Sequence, residues 1–262
     1  MKKFKKILNE EMGIADKVVS ITHEIYNEIE KSIRNREYQK DEHSRLIGNI
    51  KVYIFDCKVS LSYEYLNFQD KMDYYYSKAG KLGYGWSTFL DKKLSLMFVE
   101  ICAVSGTIIK DLAYDSIQHE VEHIYQQYLA GKEFKKPMEY ARVMKDMSSK
   151  NDIERKAGRL VYGCIKSEQE GFSNGLYSFL MMVKAPYVDD EIYDSPAWSL
   201  YTEMKQTLKE AKYNQQLRDY IKAVYGMSIK DIEHAINNFL RRMSRAVLKA
   251  RYDKFAKQGW KR

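Results

Sequence analysis

The chain has 262 residues and a mass of 31.0 kDa, enough for a large domain with a buried core. Hydrophobic residues make up 45% and charged residues 31%, which excludes a disordered, collagen-like or disulfide-framework protein. The net charge of +8 sits entirely in residues 241–262, where Arg241, Arg242, Arg245, Lys249, Arg251, Lys254, Lys257, Lys261 and Arg262 face one acid, Asp253.

That basic end is a candidate surface for nucleic acid or an acidic partner, although no stacking or groove-reading motif accompanies it. The longest clean apolar runs, such as Phe179 to Val183, fall far short of the ~20 residues of a bilayer span. The basic start, Met1 to Lys6, leads into Asn9, Glu10 and Glu11 where a signal peptide would be apolar, so the expected location is cytoplasmic. Cys57, Cys102 and Cys164 are widely spaced, with no CxxC or CxxH among them, and read as small buried hydrophobes.

Residues 14–35 carry Ile14, Val18, Ile21, Ile25, Ile29 and Ile33 at helical spacing. From Leu46 the rhythm becomes alternating. Gly48 and Asn49 suggest a turn or strand start, followed by Ile50, Val52 and Ile54 and then by Val59, Leu61, Tyr63 and Tyr65, a pair of strands. Lys78 to Trp86 is glycine-rich and expected to be a loop. Tyr74-Tyr75-Tyr76 and Gly83-Tyr84-Gly85-Trp86 are candidates for a mobile cleft wall. Leu94 to Val104 reads as strand, ending at Ser105-Gly106-Thr107. Beyond residue 110 the pattern is helical, over 111–130, 152–183, 196–223 and 229–256. The expected class is α+β, with a small antiparallel or mixed sheet in the N-terminal half and a mainly helical C-terminal half. The expected organisation is a single domain over 1–262. It comprises an N-terminal helix (1–45), a sheet region (46–110), helices bearing a site (111–182) and a helical region with a basic tail (183–262).

Chemistry enters at His119-Glu120-Val121-Glu122-His123, an HExxH on the predicted helix 111–130. Residues i and i+4 share a helix face, so the two imidazoles can ligate one Zn²⁺. The glutamate beside the first histidine is offset by ~100° around the axis and can act on water without being a ligand. The apolar stripe is Ile117, Val121, Ile124, Tyr125 and Tyr128; His119 and His123 lie opposite, on a polar face expected to line a cleft. A catalytic zinc needs a third protein ligand and an open position. The compact HxxGxxH continuation is absent, and Lys166 to Asn174 offers two later carboxylates, Glu168 and Glu170. Glu168 falls on the apolar stripe of Val161, Cys164 and Phe172, where a carboxylate is costly unless paired or metal-bound.

HExxH followed by Glu170-Gly171-Phe172-Ser173-Asn174 resembles the gluzincin class of zinc metallopeptidases, in which the third ligand is a glutamate in an ExxSD-like context on a separate helix. The resemblance spans residues 90–182 and departs at Asn174, where Asp is common. It implies a zincin-like fold with Glu170 as third ligand and Glu168 as its rival. Asn174 would orient a ligating histidine. A zinc-activated water would attack a peptide carbonyl with Glu120 as general base. Tyr162, Tyr177, Tyr201 and His234 are candidate oxyanion stabilisers. By analogy the strand before the HExxH helix would be the sheet edge that pairs with substrate. The competing reading is a helical nucleic-acid- or assembly-binding protein that uses residues 241–262, with HExxH non-catalytic.

Overall fold

The computed structural model describes residues 16–55, 57–70, 72–73, 85–91, 94–130, 138–182 and 191–257. The expected cleft wall at Tyr74–Tyr76 and Gly83–Tyr84, and most of the loop expected over 78–86, lie outside them.

Helix α1 (Asp16–Arg34) leads into strands β1 (Tyr38–Lys40), β2 (Leu46–Ile54), β3 (Cys57–Phe68), β4 (Gly85–Asp91), β5 (Leu94–Val104) and β6 (Thr107–Ile108). Then come α2 (Lys110–Ala130), α3 (Met138–Met147), α4 (Asp152–Tyr162), α5 (Lys166–Met182), a short 3-10 turn, α6 (Pro196–Tyr213), α7 (Gln215–Tyr225) and α8 (Ile229–Lys257). The class is α+β, as the alternation of pattern predicts.

The sheet is mixed, in the order β1-β2-β3-β5-β4, with β6 paired to the end of β5. β2 and β3 are antiparallel, β3 and β5 parallel, and β4 and β5 antiparallel. Val59, Leu61, Tyr63 and Tyr65 bury one face of β3, as their alternation requires. Of the turn or strand start expected at Gly48 and Asn49, the structure has the strand, with Gly48 near the start of β2. This glycine pairs with Tyr63, whose ring occupies the space a side chain at residue 48 would need and whose hydroxyl meets Ser32 of α1 at 2.7 Å. β5 ends at Val104 as expected, and the chain turns there with Ser105 and Gly106 both at positive φ. β5 lies between β3 and β4, so the strand expected at the sheet edge is interior, and among the described residues β1 and β4 are the edges.

Two of the four helix readings are divided. The stretch 152–183 breaks after Tyr162, where Gly163, Cys164 and Ile165 form a tight turn. Gln169 donates its side-chain amide to the carbonyl of Gly163 at 2.8 Å, satisfying an acceptor that the end of α4 leaves over. The stretch 196–223 breaks at Asn214, whose side chain caps α7 by accepting the N–H of Leu217. The sequence reading has no counterpart for α3.

Two apolar clusters result. One joins α1, the sheet and the apolar face of α2; the other is built by α3 to α8. Ile117, Val121 and Ile124 of α2 are fully buried in the first, each contributing roughly 1.5–3 kcal/mol. The opposite face of α2 packs on α5 and is buried too. Gln118 meets Ser178, Glu122 meets Asn174 and Gln126 meets Glu170. Four residues forward on α2 correspond to four back on α5, so the helices run antiparallel. The polar face of α2, expected to line a cleft, is therefore packed in an internal helix–helix contact along Gln118, Glu122 and Gln126.

Candidate metal centre

Two helices supply the donors. His119 and His123 stand one turn apart on α2, and their Nε2 atoms are 3.0 Å apart. Glu168, in the first turn of α5, places Oε2 at 3.4 Å from His119 Nε2 and 3.3 Å from His123 Nε2. These three side chains form a group that can hold a metal ion. Ligand atoms at about 2.0–2.1 Å from a tetrahedral ion lie about 3.3 Å from one another, so the three separations match that geometry. Glu168 is 2% exposed, and three convergent donors of this kind, two imidazoles and a carboxylate, suit a divalent ion.

Local sequence explains the convergence. The ring of His119 lies over the backbone of α5 at Gly171, and its edge meets Phe172 with centroids 4.5 Å apart. The break after Tyr162 brings the end of α4 beside the start of α5, and Tyr162 donates its hydroxyl proton to Glu168 Oε2 at 2.5 Å. Burial, followed by the charge of Glu168, pushes the Tyr162 hydroxyl well above its usual range, so it stays a donor. The start of a helix further favours a carboxylate.

The protons of the metal-free group follow from the same contacts. Burial opposes charge on His123, but Glu168 more than offsets it, with a smaller contribution from Glu120, and lifts the imidazole to about 9. Burial of Glu168 is likewise outweighed by His123 and His119, which hold its carboxyl well below the usual range. In the absence of a metal, the group is thus an imidazolium–carboxylate pair. Glu120 is 4% exposed and contributes to raising both His123 and Tyr162, which places its charge beside the donor group.

The acid brought to the imidazoles is Glu168, and Glu170 points elsewhere. Its Oε1 is 3.0 Å from Arg242 of α8, and its Oε2 accepts the side-chain amide of Gln126 at 3.3 Å. Asn174 bonds to Glu122 rather than to an imidazole. The side chain beside His123 Nδ1 is Gln126, whose Oε1 is 3.3 Å away. Its position three residues after His123, on the same helix face, is the signal that could have identified it. Tyr177 donates to Asp253 at 2.8 Å, and His234 is exposed on α8, so neither is brought to the group. Cys164, one turn from the donors in sequence, is raised to about 12 by burial and is not among them.

Behind the donors, α2 buries further acids. Asp115 lies against Gly175, and burial, then Asp111, raises it well above the carboxylate range. Burial lifts Glu122 to about 7, partly offset by its hydrogen bond with Asn174.

No helix among the described residues is long and apolar enough to cross a membrane. The chain matches no protein-family model, no curated protein and no solved structure.

Proposed function

We propose that the chain is a zinc-dependent metallopeptidase, with His119, His123 and Glu168 as metal ligands and Glu120 as general base. The observation that carries this reading is a largely buried three-donor group with a glutamate, itself outside the group, at the HExxH position beside it. A divalent zinc bound there supplies a Lewis acid and lowers the pKa of water toward ~7. Glu120 takes the proton of the attacking water at a carboxylate oxygen and passes it to the leaving amine nitrogen. Tyr162 fixes Glu168 through its hydroxyl, and Phe172 limits water around His119. Peptide as substrate is supported by β4, which is an edge strand among the described residues, a position from which backbone groups can pair with an extended chain.

The nucleic-acid reading has less support, because two of its cations are committed internally. Arg242 pairs with Glu170, and Lys249, 6% exposed, pairs with Asp253.

The test is hydrolysis of unfolded protein substrates by the zinc-loaded chain. Glu120→Gln should retain zinc and lose at least a hundredfold in rate, since a positioned base contributes roughly 10²–10⁴. Zinc binding without hydrolysis of any peptide, or full activity in Glu120→Gln, would refute it.

A further inference from the structure

We infer that Glu170 is a positioning residue for the metal centre: with Arg242 it sets the direction of a hydrogen-bonded relay that holds one proton of His123 on Nδ1, so that Nε2 is the nitrogen that gives up its proton to the metal. This rests on the metal reading above and goes beyond it.

The relay is readable atom by atom. Arg242 Nη1 forms an ion pair with Glu170 Oε1 at 3.0 Å, and Lys166 Nζ is 3.8 Å from the same oxygen. A carboxylate held by a guanidinium only accepts hydrogen bonds. The next member, Gln126, has one accepting and one donating end, and Glu170 takes the donating end, Nε2, at 3.3 Å. The carbonyl end, Oε1, is left facing His123 Nδ1 at 3.3 Å. A carbonyl oxygen cannot donate, so Nδ1 must carry the proton. A neutral imidazole protonated at Nδ1 has its lone pair on Nε2, the atom directed at His119 Nε2 and Glu168 Oε2.

Remove the charge from Glu170 and the direction is lost. A neutral amide at residue 170 can donate or accept, so Gln126 can turn and offer its own N–H₂ to His123. That arrangement favours the proton on Nε2, where it blocks a metal. The relay runs from α8 through α5 to α2, so the basic C-terminal helix contributes Arg242 to a site some 120 residues earlier in the sequence. Glu170 and Arg242 are 29% and 31% exposed in their side chains, so their replacement should leave the core intact.

The experiment compares wild type with Glu170→Gln, Gln126→Met, Arg242→Lys and Glu168→Gln, using zinc alone as the probe. It reads zinc affinity by chelator competition, thermal midpoint in chelator, and the His123 Nδ1–H resonance of the ¹⁵N-labelled, zinc-loaded chain. Glu170→Gln and Gln126→Met should bind one zinc roughly tenfold more weakly and exchange the Nδ1 proton with solvent several-fold faster, with the midpoint in chelator nearly unchanged. Arg242→Lys should stay close to wild type. Unaltered affinity and exchange in both Glu170→Gln and Gln126→Met, while Glu168→Gln loses zinc, would overturn the relay alone. Failure of wild type to bind zinc would overturn the metal reading and the relay with it.

Discussion

A β-carbon added to Gly171 would lie 2.9 Å from Cε1 and 3.0 Å from Nδ1 of His119. The glycine on α5 is thus the seat of the imidazole on α2, and a substitution there should act on the metal centre more than on the fold. Replacing glycine by alanine inside a helix gains about 1 kcal/mol in propensity, which offsets part of the cost of crowding. Gly171→Ala is therefore expected to change stability in chelator by no more than about 2 kcal/mol, yet to weaken zinc binding at least tenfold by moving the ring. Urea unfolding in chelator together with zinc titration separates the two effects.

Metal uptake should release a proton. His123 sits at about 9 without metal because Glu168 outweighs its burial, whereas a ligating imidazole is neutral. At pH 7 zinc must displace that proton, so about one proton should be released per site from His123, falling toward zero as the pH is raised beyond 9. Glu168 is already ionised there and adds none. Calorimetry in buffers of different ionisation enthalpy measures the number directly.

In chelator, His123 and Glu168 should stabilise the fold over opposite ends of the pH range. His123 is raised above its unfolded value of about 6.5, so its contribution is fully present below that pH and is lost as pH climbs through about 9. Glu168 is depressed, so its contribution is present above about 4.5 and is lost as pH falls through its folded value.

Glu122 provides a separate pH test. Its carboxyl is raised from 4.5 to about 7, chiefly by burial. A raised acid favours folding in its protonated form, so wild type should lose stability as pH rises from about 4.5 to about 7, by at most about 3 kcal/mol. Glu122→Gln removes this loss. Its stability relative to wild type, measured in chelator, should grow across that interval and level off above it. A pH-independent difference would show that Glu122 is not the buried titrating group.

The histidine pair and its helix were legible because spacing alone fixes them: an i, i+4 pair shares a face, and Ile117, Val121 and Ile124 dictate which face is anchored. The third donor was less so. Glu168 and Glu170 differ by two residues, and the side each faces depends on where α5 starts. Periodicity across 152–183 gave no sign of the turn at Gly163–Ile165, which Gln169 helps close from within the next helix. The burden of a carboxylate on the stripe with Phe172 did point to Glu168. Burial of the polar face of α2 was hidden because Asp115, Gln118 and Glu122 look like a solvated surface until the matching small and polar residues of α5, Ser173, Asn174, Gly175 and Ser178, are laid against them. The edge strand was misplaced because β3 and β5 pair in parallel across the intervening β4, a long-range choice that local alternation does not record.

The most direct measurement is zinc per chain after equilibration with excess metal and dialysis, for wild type, His119→Ala, Glu168→Gln and Glu170→Gln. The proposed convergence of His119, His123 and Glu168 on one zinc ion requires one zinc in wild type, none in the first two variants, and one in Glu170→Gln at saturation. A wild-type chain that emerges without zinc, or a Glu168→Gln chain that keeps it, would contradict the account.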